Sequence, residues 1–206
     1  LYPSQGTIVG GGLAGAEAAW QCAQRKIQVR LYEMRPNKQT GAHRTGNLAE
    51  LVCSNSLGSM QLENASGILM HELRSLGSLL LNCAEKTALP AVNALAVDRE
   101  KFSELVAQCI NEDPYIEVIR EEVHEIPPGV VIIASGPLTS MDLAKNISAL
   151  TGDDLLFFYD ALAPIIKAET IDLSIAFWAS RHESQGMASI GDYLNCPLSK
   201  EQYDRF

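Results

Sequence analysis

The sequence has no apolar run long enough for a membrane helix: VVIIA at 130–134 and LLL at 79–81 fall far short of the roughly 20 residues such a helix requires. A bilayer-spanning helix is therefore not expected. Positive charge is also in short supply. Sixteen Lys and Arg face twenty-five Asp and Glu, giving a net charge of −9 and a pI of about 4.9. That is the wrong sign for binding nucleic acid through the overall field, so an RNA partner would need a local basic patch. No CxxC pair occurs among the five cysteines (Cys22, Cys53, Cys83, Cys109, Cys196), and none has ligand-like spacing to His. This disfavours a disulfide framework and a zinc site, so no metal is expected and a reducing compartment is the simpler reading. The chain opens on Leu1 without a charged leader and apolar stretch. The expected location is the cytoplasm of a bacterial-type cell, or an organelle if a leader has been removed.

What is present is ordinary for a folded domain: 206 residues, 47% hydrophobic and 20% charged, enough for one substantial core. Residues 7–35, TIVGGGLAGAEAAWQCAQRKIQVRLYEMR, read as a buried strand, a glycine turn, an alanine-rich helix and a second strand, which is a β-α-β unit. PNKQTGAHRTGNL at 36–48 reads as a loop. A single helix is expected from Asn64 to Lys86 despite Gly77, with Ile68, Leu69, Leu73, Leu76, Leu80 and Cys83 at helical intervals. A further helix, capped by Asp98, would align Phe102, Leu105, Val106, Cys109 and Ile110. YIEVI and VHEI look like strands, and VVIIASGPLTS like a parallel strand buried on both faces. Ser140 or Thr139 would cap a helix ending near Gly152. Trp20 and Trp178 are expected in the core.

Gly10, Gly12 and Gly15 form GxGxxG directly after the first strand and at the mouth of a helix. Gly10 permits the tight turn, Gly12 lets the main chain approach a pyrophosphate, and Gly15 lets helix and strand pack closely. The phosphates would lie against Gly10, Gly11, Gly12, Leu13, Ala14 and Gly15, where unpaired N–H groups and the positive helix end point outward. Glu33, eighteen residues after Gly15, is placed to accept hydrogen bonds from an adenosine ribose. An acidic group there disfavours a 2′-phosphate, which favours FAD or NAD over NADP. The distant VVIIASG resembles the strand of two-dinucleotide flavoproteins whose turn meets the cofactor again, making Ser135 and Gly136 further candidates; a plain Gly-Pro turn is the alternative. Arg35, Lys38, His43 and Arg44 could meet a phosphate, or could form a solvated loop.

GGGLAGAEAAW, LYEMRP, AELVCSNSL, ALAVDRE, SGPLTS, FYDALAPI, IAFWASR and DYLNCP occur in one order that spans nearly the whole chain. In these the sequence resembles the flavin- and folate-dependent tRNA (uracil-5-)-methyltransferases of the TrmFO or Gid type. The resemblance implies an α/β fold: the first part of a Rossmann-like FAD-binding domain with a parallel sheet over 1–152, and an inserted second region facing substrate and tRNA that begins over 153–206. It implies an enzyme forming 5-methyluridine in the tRNA T loop. FAD is the cofactor, NAD(P)H the reductant and methylenetetrahydrofolate the one-carbon donor. It assigns chemistry to Cys53, beside the flavin, and to Cys196, the thiolate that adds to carbon 6 of uracil. Arg181, His182 and Asp192 are candidate activators of Cys196. Family members are about twice as long. Two rival readings stay open: a generic FAD-dependent oxidoreductase, and a catalytically silent nucleotide-binding module.

Overall fold

The computed structural model describes residues 4–153, 166–179 and 193–205. Its central sheet has the order β6-β2-β1-β7 and is parallel throughout, built from β1 (Gln5–Val9), β2 (Gln28–Tyr32), β6 (Ile116–Ile119) and β7 (Val131–Ile133). Helix α1 (Leu13–Ala23) crosses from β1 to β2. Its buried face is Gly15, Ala16, Ala19 and Ala23, small residues that bring the helix axis close to the sheet. The expected β-α-β unit and the α/β class with a parallel sheet are therefore present.

Helix α4 (Arg99–Glu112) covers the same core with Phe102, Val106 and Ile110, all fully buried and four residues apart along one face. Asp98 caps it, accepting from the Lys101 N–H at 3.2 Å, and α5 (Met141–Thr151) starts after Ser140 and stops at Gly152, whose φ is 75°. Both helix limits were legible in the sequence.

Four expectations need correction. The helix over 64–86 is two, α2 (Ala65–Ser75) and α3 (Leu79–Lys86). Gly77 takes a left-handed φ of 72°, and Ser78 then caps α3 by accepting from the Leu81 N–H, so a stop signal and a start signal side by side outweigh the apolar period. As a result Ile68, Leu69 and Leu76 are exposed while Met70, Leu79, Leu81 and Cys83 are buried. VHEI, at 123–126, is not a strand. Its polar groups pair laterally instead: His124 Nδ1 lies 3.1 Å from Asp142, and the His124 carbonyl accepts from Asn146. Strand β7 pairs only with β1 among the described residues and is an edge strand, with Val130, Ile132 and Ile133 exposed. Trp178 lies on the short hairpin of β8 (Phe177–Ala179) and β9 (Tyr193–Asn195) and is 56% exposed. Trp20 packs against the core as expected and donates to the Gly77 carbonyl at 3.2 Å.

A three-stranded antiparallel sheet, β3 (Ser56–Ser59), β5 (Ala94–Val97) and β4 (Ala88–Leu89), adjoins α3. Strands this short carry too little alternation to be read from sequence. The described elements close with α6 (Lys200–Arg205). No described helix is long and apolar enough to cross a membrane.

Because Phe102 is fully enclosed, Phe102→Ala should cost about 3–5 kcal/mol in chemical denaturation. Leu69→Ala, on the exposed face of α2, should stay within about 0.5 kcal/mol of wild type.

Candidate dinucleotide site

Three of the four glycines of the turn, Gly10, Gly11 and Gly15, have a steric reason to be glycine. Gly10 sits at φ 105°, and a Cβ there would lie 2.6 Å from the Ala134 carbonyl and the Ser135 Cα. The end of β7 is thus pressed against the turn, held by the Ala134 N–H donating to the Val9 carbonyl at 2.7 Å. A Cβ on Gly15 would fall 1.8 Å from the Gly10 carbonyl oxygen, whereas a Cβ on Gly12 would meet nothing within 4 Å. Gly10 and Gly15 serve packing. Gly12, which precedes the first residue of α1, faces open space.

That space is a cavity of about 320 Å³ lined by Gly10, Gly11, Gly12, Leu13 and Ala14 after β1, by Glu33 after β2 on one side of them, and by Ser135 and Gly136 after β7 on the other. Of the nine residues singled out as cofactor contacts, eight line it; Gly15 lies beneath, as a packing residue. Gly136 opens a short 3-10 turn, Gly136–Leu138, flanked by Ser135 and Thr139, whose hydroxyls lie 2.7 Å apart. The volume is at the low end of the usual range of about 300–1,000 Å³ for ligand pockets, so a dinucleotide would extend beyond its mouth.

Glu33 is buried, at 6% exposure. Its Oε1 accepts from the Arg35 main-chain N–H at 3.0 Å and Nε at 2.9 Å; its Oε2 accepts from Arg35 Nη2 at 3.0 Å and the Gly11 N–H at 3.1 Å. Arg35, 1% exposed, extends Nη1 to Glu50 Oε2 at 3.0 Å. Glu50 also accepts from the Arg44 and Thr45 N–H groups and the Thr45 hydroxyl. Arg120 Nη1 donates to the carbonyls of Arg35 and Gly46. Burial pushes the Glu33 carboxyl up, but the Arg35 hydrogen bonds and charge, with the Gly11 N–H, outweigh it and leave Glu33 below the ordinary value. At Glu50 burial is likewise outweighed by the Arg44 and Thr45 donors and by Arg35. Burial and then Arg35 hold His43 below the usual histidine range; its Nδ1 lies 2.6 Å from the Thr40 hydroxyl.

Arg35 is therefore an internal counterion, and Lys38 pairs with Glu122. Arg44 contributes a main-chain donor to Glu50. The clamping roles of Arg35 and Glu50 escaped sequence reading. The available signal was a charged residue in each of two apolar contexts, LYEMR and AELV.

Cys53 is exposed and does not line the cavity, although Val52 does. Its carbonyl accepts from Arg99 Nη2 at 3.2 Å, and the next turn is fixed by Asn55, whose carbonyl and side chain exchange hydrogen bonds with Val97. Segment 48–53 reaches the glycine turn through the Ala49 N–H, which donates to the Gly11 carbonyl at 2.9 Å. Cys196, just after β9, is also exposed and outside the cavity lining. Arg181, His182, Asp192 and FYDALAPI lie outside the described residues. Cys83 is a core thiol, pushed up to about 12 by burial and by Cys109.

Glu33 and Glu50 both sit below the ordinary carboxyl value of 4.5 when folded. Their stabilisation is therefore complete above that pH and is lost as pH falls through the lowered folded values. Urea midpoints measured from neutral pH into acid should fall in this window. Glu33→Gln should start lower at neutral pH and fall less.

The family model described as glucose inhibited division protein A matches residues 5–206. The chain is 56% identical over 201 residues to the methylenetetrahydrofolate--tRNA-(uracil-5-)-methyltransferase TrmFO of Heliobacterium modesticaldum, covering 97% of this chain and 45% of that protein. It is 57% identical to the protein of the same name from Pelotomaculum thermopropionicum, with the same coverage. The chain thus spans less than half the length of these curated relatives. Aquifex aeolicus GidA superposes with a TM-score of 0.50 at 18% identity, over 62% of this chain and 21% of that one, a likeness of fold. By the match of nearly its whole length to one family model, the chain belongs to the glucose inhibited division protein A family.

Proposed function

We propose that these residues are the cofactor-binding portion of a folate- and FAD-dependent tRNA (uracil-5-)-methyltransferase. The carrying observation is convergence on one cavity: the glycine turn, Glu33 and the Ser135–Gly136 turn line it, and the segment leading to Cys53 is hydrogen-bonded to Gly11. The names of the relatives supply the substrate class. FAD fits the residues present, since the N-terminus of α1 offers main-chain donors to a pyrophosphate and Gly12 leaves room for it. Glu33 serves the ribose end. When bound, FAD reduced by NAD(P)H supplies the electrons that bring the one-carbon unit of methylenetetrahydrofolate to the methyl level.

The protein's own chemistry addresses a weak nucleophile. Carbon 5 of uracil does not attack an electrophilic carbon unaided. Addition of the Cys196 thiolate at carbon 6 forms a C–S bond and moves the 5,6 electron pair toward carbon 5 and the neighbouring carbonyl. Carbon 5 then bonds to the one-carbon unit and loses its proton as that unit's bond to the folate nitrogen breaks and the folate leaves; once two electrons and a proton bring the unit to a methyl group, expulsion of the thiolate from carbon 6 restores the 5,6 double bond. Cys53 acts beside the flavin. The target is the T-loop uridine, and the working location is the cytoplasm. The acidic balance of this chain assigns the attraction for tRNA to a local basic surface.

Two measurements test this reading. Folate-dependent 5-methyluridine formation on unmodified tRNA, assayed with the full-length protein, should be abolished by Cys53→Ala and by Cys196→Ala; activity surviving both substitutions would remove the mechanism. Gly12→Ala, whose new methyl meets no protein atom, should leave stability within about 0.5 kcal/mol and still yield protein depleted of flavin absorbance.

A further inference from the structure

The Glu33 carboxylate is saturated. A carboxylate offers about four lone-pair sites, and here they are taken by three donors of Arg35 and the Gly11 N–H. A ribose hydroxyl can bind Glu33 only if one donor withdraws. Two of the four are main-chain groups. The Gly11 peptide is pinned by the Ala49 N–H on its carbonyl and by Leu48 and Glu33, which lie within 3.0 Å of where its Cβ would be. The Arg35 N–H is fixed by a backbone whose carbonyl is held by Arg120. The guanidinium alone has another place to go, because its Nη1, already held by Glu50, also lies 3.4 Å from the Thr45 carbonyl.

We propose that Arg35 is a positioning residue that couples the ribose end of the cavity to the segment carrying Cys53. A ribose hydroxyl on Glu33 displaces part of the guanidinium fork, which keeps its bond to Glu50 and turns onto the Thr45 carbonyl, 3.4 Å from Nη1. Glu50 is the residue that folds 44–50, through Arg44 and Thr45, and it lies three positions before Cys53. The second tether of this segment is the Ala49 to Gly11 hydrogen bond, made with Ala49 at a left-handed φ of 53°, a conformation unfavourable for a non-glycine residue and kept where the surroundings over-determine it. The glycine turn and Glu50 thus hold 44–53 from two sides, and only the Glu50 side passes through a group that ribose must displace. This inference rests on the cavity being the FAD site.

Hydrogen exchange of residues 44–53 in the full-length protein tests it, with FAD and with ADP as probes; ADP carries the ribose and pyrophosphate without the flavin ring. In the wild type both should slow exchange about tenfold, within the usual range of coupling between sites. Arg35→Gln should retain flavin absorbance and lose the protection. Arg35→Lys, a cation without the fork, should recover part of it. Glu50→Gln cuts the same link from the other side and should also lose it, which keeps the test decisive if Arg35→Gln does not fold. Undiminished FAD protection in Arg35→Gln or Glu50→Gln would overturn the coupling while leaving the site reading intact. Absence of FAD and ADP binding by the wild type would instead overturn the site reading, and the coupling with it.

Discussion

A guanidinium held out of water between two carboxylates organises the mouth of the first β-α-β unit. Arg35 and Glu33 are nearly inaccessible, and charges in such a place persist only when paired and fully hydrogen-bonded. That requirement acts on the chain around them. Glu33 must point back toward Gly11, the loop after β2 must fold so that Glu50 reaches Nη1, and Arg120 must close the loop from the β6 side. The loop from 36 to 50 lacks regular structure, yet it is fixed by these bonds.

The same network ties the glycine turn to the segment that carries Cys53. The glycine turn is a generic device for bringing main-chain donors to a phosphate, and at its packing glycines, Gly10 and Gly15, an added Cβ would strike protein backbone. Segment 48–53 hangs on that turn by one main-chain hydrogen bond, on Arg35 through Glu50, and on the start of α4 through Arg99. Its cysteine is therefore registered to the glycine turn after β1 by polar contacts, while Leu48, Ala49 and Leu51 anchor it in the core. Cys196 belongs to a different region, next to the β8-β9 hairpin.

Apolar exposure is distributed unevenly. The outward face of α2 and the β7 edge show Ile68, Leu69, Leu76, Ile132 and Ile133, whereas the space between α1, α3 and α4 is closed by Cys83, Phe102, Val106 and Ile110. Both sets look alike in the sequence. The difference lies in which elements have a partner on each side.

The sequence by itself determined the α/β unit, the glycine turn with its helix, the Asp98 cap, the stop at Gly152 and the candidate contacts that line the cavity. These signals are local: each depends on a few residues acting through backbone geometry over one or two turns. Only the tertiary structure decided that Gly77 and Ser78 split a helix, that β7 lies at the edge of the sheet among the described residues, that Trp178 is exposed, and that Arg35 is a buried counterion. Each of those outcomes depends on what lies across space from a residue. Glu50 and Arg35 are separated by fifteen positions, and no periodicity or motif records that two such charges will share one desolvated site.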